Sequence, residues 1–83
     1  MEVARSALKH GIHPGDALLA AERFIVAHQV GQDPLRELRL GFDATARLLE
    51  TVVLVNAEGT EIVIHPMRAR AASLDLLPGG DSP

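Results

Sequence analysis

The sequence predicts an α+β domain in which two N-terminal helices precede an antiparallel sheet of about three to four strands, and a short helix follows. The first third of the chain supports this prediction, because its strong helix formers place apolar residues at helical spacing. The second half supports it too, since two runs rich in β-branched residues, 47–56 and 60–66, flank a short turn sequence. With 83 residues, of which 47% are hydrophobic, the chain fits one folded domain, predicted over 1–77.

The two N-terminal helices are predicted from the residues at their ends. The first covers 3–9 and ends at Gly11, because glycine suits the position that follows a helix. The second begins near Pro14, which suits a first helical turn, and Asp16 favours the positive end of the helix dipole. Its apolar spacing continues to Ala27, and Gly31 is expected to end the element. Whether 24–30 is helix or strand stays open, because its residues suit either.

A short strand is predicted at 35–40, where residues alternate up to Gly41. The two β-branched runs are then predicted to pair as a hairpin around Ala57-Glu58-Gly59. With Glu58-Gly59 as a two-residue turn, the facing pairs would be Asn56–Glu61, Leu54–Val63, Val52–His65 and Glu50–Met67. Glu50 would be diagonal to His65, within reach for long side chains. The other, core face would carry Thr51, Val53, Val55, Ile62 and Ile64. A three-residue turn with a bulge would shift this pairing by one.

The last predicted element is a helix over 68–77, which Pro78-Gly79-Gly80 would stop. Residues 78–83 are expected to form a flexible C-terminal tail.

Composition limits the function classes. The chain has no cysteine, so a disulfide framework or a thiolate metal site is excluded. Its net charge of −3 and its two aromatic residues, Phe24 and Phe42, argue against a broad basic or base-stacking surface for nucleic acid, so any such contact must be local. The apolar stretches are too short to cross a bilayer and no signal-peptide pattern is seen, so we expect a cytoplasmic protein without a membrane partner.

His65 and the arginines that follow it, Arg68 and Arg70, form the first candidate site. Imidazole exchanges protons near neutral pH, and guanidinium pairs with phosphate through two parallel hydrogen bonds. The alternative is a half-buried histidine bonded to backbone, with both arginines on a solvated helix face.

Lys9 and His10 form the second candidate site, a cation and an imidazole just before a helix entrance. The alternative is a solvated Lys9 and a His10 that caps the first helix. A metal site from His10, His13 and either His65 or Asp16 is disfavoured, because no glutamate accompanies the histidines and Pro14 interrupts the helix. No cofactor is expected.

The order of several short motifs resembles that of the BrnT-type ribonuclease toxins, which belong to the RelE-like superfamily and to bacterial type II toxin–antitoxin modules. The likeness covers most of 6–77, and its motifs are Lys9-His10-Gly11-Ile12, Asp16-Ala17, Gly41, Arg47-Leu48-Leu49 and Ile62-Val63-Ile64 before a basic segment. The resemblance implies a RelE-like fold, metal-independent RNA cleavage and a tightly bound antitoxin. The family's serine-alanine-arginine stretch reads His65-Pro66-Met67 here.

Two functions therefore stay open, and whether the chain is an enzyme stays open with them. As a ribonuclease toxin it would use His65 or His10 to move protons, Glu50 as an assisting base, and Lys9, Arg68 and Arg70 to hold phosphate. Its partners would be RNA and a cognate antitoxin. As a catalytically inactive domain of the same fold it would bind a protein, for example through an exposed edge strand at 35–40. The oligomeric state, a homodimer included, is not determined by the sequence.

Overall fold

A five-stranded mixed sheet forms the centre of the molecule, in the spatial order β1-β5-β4-β3-β2. The computed structural model describes residues 1–77, except the side chains of Lys9 and His10. Strand β1 pairs in parallel with β5, and all other neighbours are antiparallel. The elements in chain order are β1 (Glu2–Val3), a 3₁₀ helix (Arg5–His10), α1 (Pro14–Glu22), β2 (Phe24–Gln32), β3 (Leu35–Phe42), β4 (Leu48–Val55), β5 (Glu61–Arg68) and α2 (Ala71–Leu74). The predicted tail, 78–83, lies outside the described residues.

The predicted fold class is wrong in three respects. The sheet has five strands and is mixed, because the N-terminal residues add the parallel strand β1 and 24–32 add β2. The first predicted helix is a 3₁₀ helix, because it is confined between the sheet and a tight turn. The Ala4 N–H still donates to the Val63 carbonyl at 2.8 Å, and the chain already turns at Gly11, with φ +73°. The last helix is only Ala71–Leu74, because β5 continues through Arg68 and takes residues predicted to be helical.

Helix α1 lies across one side of the sheet, which we call the helix-bearing face. Small residues allow a close approach: a Cβ added at Gly41 of β3 would overlap the carbonyl oxygen of Ala20. Most of the core lies between this helix and strands β4 and β5. Its fully or almost fully buried members are Ile12, Ala17, Ala20, Ala21, Leu49, Val53 and Val63.

The hairpin of β4 and β5 begins with a three-residue turn at 57–59. The Asn56 N–H donates to the Thr60 carbonyl at 2.9 Å, and Gly59 has φ +89°, a conformation that glycine adopts without strain. Near the turn, Val55 therefore faces Glu61 and Val53 faces Val63. The predicted pairs Asn56–Glu61 and Leu54–Val63 are wrong because the turn is one residue longer than the predicted one, and Val63 belongs to the core face.

A bulge in β5 reverses this shift farther along the hairpin. Val53 faces Val63 and Val52 faces His65, so Ile64 is an extra residue in β5. Beyond it, Val52 pairs with His65 and Glu50 with Met67, as predicted. These residues lie on the side of the sheet away from α1, which we call the opposite face.

Strand β3 is an interior strand with β4 on one side and β2 on the other. The prediction of an exposed edge at 35–40 is therefore wrong. Segment 24–30, which from the sequence could be helix or strand, belongs to β2 and covers that edge. Within residues 1–77, no helix has the length and apolar character needed to cross a membrane.

Candidate functional site

Glu50 is the most buried carboxylate on the opposite face of the sheet, with a side chain only 2% exposed. It is the third residue of β4, and the chain after β5 folds back over it. Its Oε1 accepts from the Arg70 backbone N–H at 2.8 Å and from Ser73 Oγ at 2.7 Å. Its Oε2 accepts from Arg70 Nε at 3.0 Å and Nη2 at 2.8 Å. Both carboxylate oxygens are thus occupied by charged or polar donors.

The charge state of Glu50 follows from these contacts. Burial alone would raise the pKa of this carboxyl group, but the hydrogen bonds from Arg70 and Ser73 outweigh burial and hold the pKa below its ordinary value of 4.5. The same contacts raise the pKa of the Arg70 guanidinium. Both groups are therefore ionised at neutral pH, and Glu50 acts here as an acceptor that orients a cation.

Arg70 combines a fixed orientation with access to solvent. Its side chain is 63% exposed although Nε and Nη2 both donate to Glu50. The remaining guanidinium donors are available to an anion, and arginine binds phosphate oxygens through such donors. The arrangement thus presents a positioned cation at the surface of an acidic protein.

His65 reaches the same face of the sheet because of the bulge. Without the bulge, Ile64 would face Val52, and strand alternation would place His65 on the helix-bearing face with Val63. With it, His65 faces Val52 and is diagonal to Glu50, and its side chain is exposed. Diagonal neighbours in antiparallel strands are within reach of long side chains. The predicted Glu50–His65 juxtaposition is confirmed at the level of strand register.

The other predicted site residues are placed differently. Arg68 pairs with Leu49, so it lies on the helix-bearing face, and the sheet separates it from Glu50. Lys9 and His10 belong to the 3₁₀ helix, which packs against β5, but their side chains are outside the described part of the structure. The structure thus places Glu50, His65 and Arg70 on one face of the sheet and Arg68 on the other.

Sequence reasoning missed Ser73, which donates its hydroxyl hydrogen to Glu50. The available signal was the three-residue spacing from Arg70 to Ser73, which places both on one side of a helix start. The Ser73 N–H also donates to the Arg70 carbonyl at 2.9 Å, so a single turn holds the pair together.

A second polar cluster lies on the helix-bearing face and was not predicted. Arg39 is 5% exposed and donates to Glu37 at 3.0 Å, to Glu61 at 2.7 and 3.2 Å, and to the Ala21 carbonyl at 3.2 Å. Its guanidinium carbon lies 4.8 Å from the ring centroid of Phe24. Because the partners of Arg39 lie on β3 itself, on β5 beyond β4, and at the end of α1, this cluster joins the helix to the sheet.

A third cluster organises the connection between β3 and β4. Asp43 Oδ1 accepts from the Thr45 N–H at 2.9 Å, the Thr45 hydroxyl at 2.8 Å and the Arg47 N–H at 2.9 Å. Its Oδ2 accepts from Arg47 Nε at 2.8 Å. Burial would raise the pKa of Asp43, but these hydrogen bonds dominate and lower it from 3.8 to about 2. The cluster satisfies the polar groups of a tight turn.

Metal ligation has no support from the described side chains, among which no three His, Asp or Glu residues converge as a metal site requires. His13 instead begins α1: its Nδ1 accepts from the Gly15 N–H at 3.0 Å. In comparisons with known proteins, no family model, no curated protein and no solved structure matches this chain.

Proposed function

We propose that this chain is the toxin-like component of a bacterial toxin–antitoxin module and cleaves RNA without a metal ion. The observation that supports the proposal is the fixed, solvent-accessible guanidinium of Arg70, held by Glu50 on the face that carries His65. The motif resemblance to BrnT-type toxins points in the same direction. The proposal places the protein in the cytoplasm, with RNA and a cognate antitoxin as partners and without a cofactor.

The chemistry requires two proton transfers and one charge to be stabilised. The RNA 2′-hydroxyl attacks the adjacent phosphorus, the bond to the 5′-oxygen breaks, and a 2′,3′-cyclic phosphate forms. His65 takes the proton of the attacking hydroxyl or gives one to the leaving oxygen, and His10 is the candidate for the other transfer. Arg70 binds the phosphoryl oxygens as their negative charge grows, with Lys9 as a second candidate cation.

Glu50 has a positioning role in this proposal. With both oxygens accepting hydrogen bonds and its pKa lowered, it keeps the guanidinium in place and does not need to accept a proton. This differs from the assisting base expected from the sequence. Arg68, on the other side of the sheet, is not needed for phosphate binding at this site.

The test is growth arrest on induced expression, followed by cleavage of an RNA oligonucleotide by the purified protein with and without a chelator. We expect His65→Gln and Arg70→Lys each to abolish arrest, and Arg36→Lys, an exposed arginine in β3, to leave it unchanged. A substrate with a 2′-deoxy group at the cleaved position should resist. No arrest by the unmutated protein, or arrest unchanged in the first two variants, would overturn the proposal.

A second candidate is a catalytically inactive domain that binds a protein partner. The observation in its favour is the strand edge of β2, which is uncharged and carries exposed apolar side chains, Ile25 and Val30. The two candidates separate cleanly, because partner binding would survive Arg70→Lys whereas RNA cleavage would not.

A further inference from the structure

Strand β2 forms one long edge of the sheet. It runs over nine residues, Phe24–Gln32, and pairs with β3 on one side. Within the described chain no strand covers its other side, since β2 ends the spatial order of the sheet. At about 3.3 Å per residue the edge is about 30 Å long, and its outward N–H and C=O groups can pair with a further strand.

The composition of β2 lacks the devices that normally protect such an edge. Natural edge strands carry lysine, other charges or proline, are very short, or have β-bulges, which are the one such device present in β2. Here the nine residues contain no Asp, Glu, Lys, Arg or Pro. The side chains of Ile25 and Val30 are 47% and 52% exposed, which leaves apolar surface near both ends of the strand.

The pairing with β3 divides the strand into a regular middle and two irregular ends. Val26 to Gln29 face four consecutive residues of β3 without interruption. Ile25 and Val30 are the residues at which the register shifts. The bulges limit regular pairing to the central stretch.

We propose that this edge pairs with the β2 edge of a second copy of the chain, antiparallel and about a two-fold axis, to form a ten-stranded sheet. Self-pairing fits the charge pattern, because an uncharged edge on a chain of net charge −3 meets its own copy without like charges opposite each other. A partner recognised by charge would find no complementary group on this strand.

The symmetry fixes the register to a small set. In a two-fold antiparallel pair one residue must face its own copy, and the regular stretch puts Ala27 or His28 at that point. With Ala27 at the axis, Val30 of one strand faces Phe24 of its partner, and with His28 at the axis it faces Val26; the axis produces either apolar contact twice. Two paired strand edges bury a small surface area compared with stable protein interfaces. We therefore expect a reversible dimer whose population rises with concentration.

The first test is the mass of the full chain in solution over a wide concentration range, by sedimentation equilibrium. We expect twice the chain mass at high concentration, and a shift to monomer in Ile25→Lys and, separately, in Val30→Lys. Leu8→Lys is the matched control, because Leu8 is 49% exposed but lies in the 3₁₀ helix. Circular dichroism establishes that each variant is folded.

The second test needs no destabilising substitution in the strand. Because the chain has no cysteine, Ala27→Cys or His28→Cys introduces the sole thiol. On mild oxidation, one of these variants should form a disulfide-linked dimer, whereas Ala57→Cys in the exposed β4–β5 turn should not. A monomer at every concentration, a dimer insensitive to both lysine variants, or equal crosslinking at 57 would overturn the inference. None of these outcomes bears on RNA cleavage, which is measured separately.

Discussion

The carboxylate of Glu50 and the guanidinium of Arg70 are joined by hydrogen bonds of 3.0 Å and 2.8 Å, and the Arg70 backbone N–H donates to the same carboxylate at 2.8 Å. Glu50 is the third residue of β4, and Arg70 directly precedes α2. A single buried acid therefore both fastens the C-terminal segment to the sheet and determines where an exposed cation points.

Replacing Glu50 by glutamine should loosen this attachment. The amide keeps the size of the side chain but offers one acceptor oxygen and no charge, so charge-assisted hydrogen bonds to Arg70 and Ser73 are lost. We expect the free energy of unfolding in urea to fall by about 1–3 kcal/mol. Amide hydrogens of α2 should also exchange faster. Glu22→Gln, at the exposed end of α1, is the control and should leave both measurements unchanged within error.

Acid should destabilise the protein over a definite pH range. The folded pKa of Asp43, about 2, is below its ordinary value of 3.8, so its contribution is complete above pH 3.8 and disappears as the pH falls towards 2. Glu61, whose pKa is lowered by hydrogen bonds from Arg39, and Glu50 act in the same direction. Melting temperatures measured from pH 7 to 2 should decline most steeply between pH 3.8 and 2.

The variant Asp43→Asn should flatten that decline, because the amide does not titrate. The exposed turn residue Asp33 provides the control, and Asp33→Asn should keep the wild-type slope. An equal decline of the melting temperature at low pH in Asp43→Asn and wild type would show that the Asp43 cluster does not govern acid sensitivity.

Arg39 should be a major determinant of stability. Arg39→Met leaves Glu37 and Glu61, whose side chains are only about one-third exposed, without their cation. It also removes the hydrogen bond that Arg39 donates to the Ala21 carbonyl at the end of α1. We expect a loss of about 2–3 kcal/mol, below the range for a completely buried pair because solvent reaches both carboxylates. Arg36→Met, at an exposed position on the same strand, should change stability by less than about 0.5 kcal/mol. A similar loss in both variants would contradict the assignment.

Thr51 offers a prediction of the opposite sign. It is fully buried, and its hydroxyl oxygen has no hydrogen-bond partner among residues 1–77. Thr51→Val keeps the shape and removes the unsatisfied group, so the free energy of unfolding should stay constant or rise by about 1 kcal/mol. Thr45→Val is the contrasting variant, because its hydroxyl donates to Asp43 and its loss should lower stability. Destabilisation by Thr51→Val would indicate a partner for that hydroxyl.

Local signals in the sequence account for several elements. The β-branched run at 47–56 predicts β4 almost to the residue, and alternation at 35–40 predicts most of β3. Strand β1 has only two residues and no signal of its own, since it forms by pairing with β5. The segment 24–30 suits helix or strand equally, and its pairing with β3 decides the outcome.

The candidate site was predicted in part, for a physical reason. The Glu50–His65 relationship follows from strand register and was predicted, whereas the Glu50–Arg70 bond depends on how the chain turns back after β5. Arg68 and Arg70 are equivalent in the sequence, but strand alternation sends Arg68 to the helix-bearing face. A rule based on sequence proximity cannot separate them.

The extra residue Ile64 also affects how relatives of this chain can be recognised. If the same residues paired without the bulge, the imidazole would lie on the helix side with every amino acid in place, whereas a deletion of Ile64 would keep it on its present side. Two proteins could then share nearly the same string of letters and differ in which surface holds the histidine. Alignments of this hairpin should therefore be anchored separately on Val63 and on His65, with a gap permitted between them.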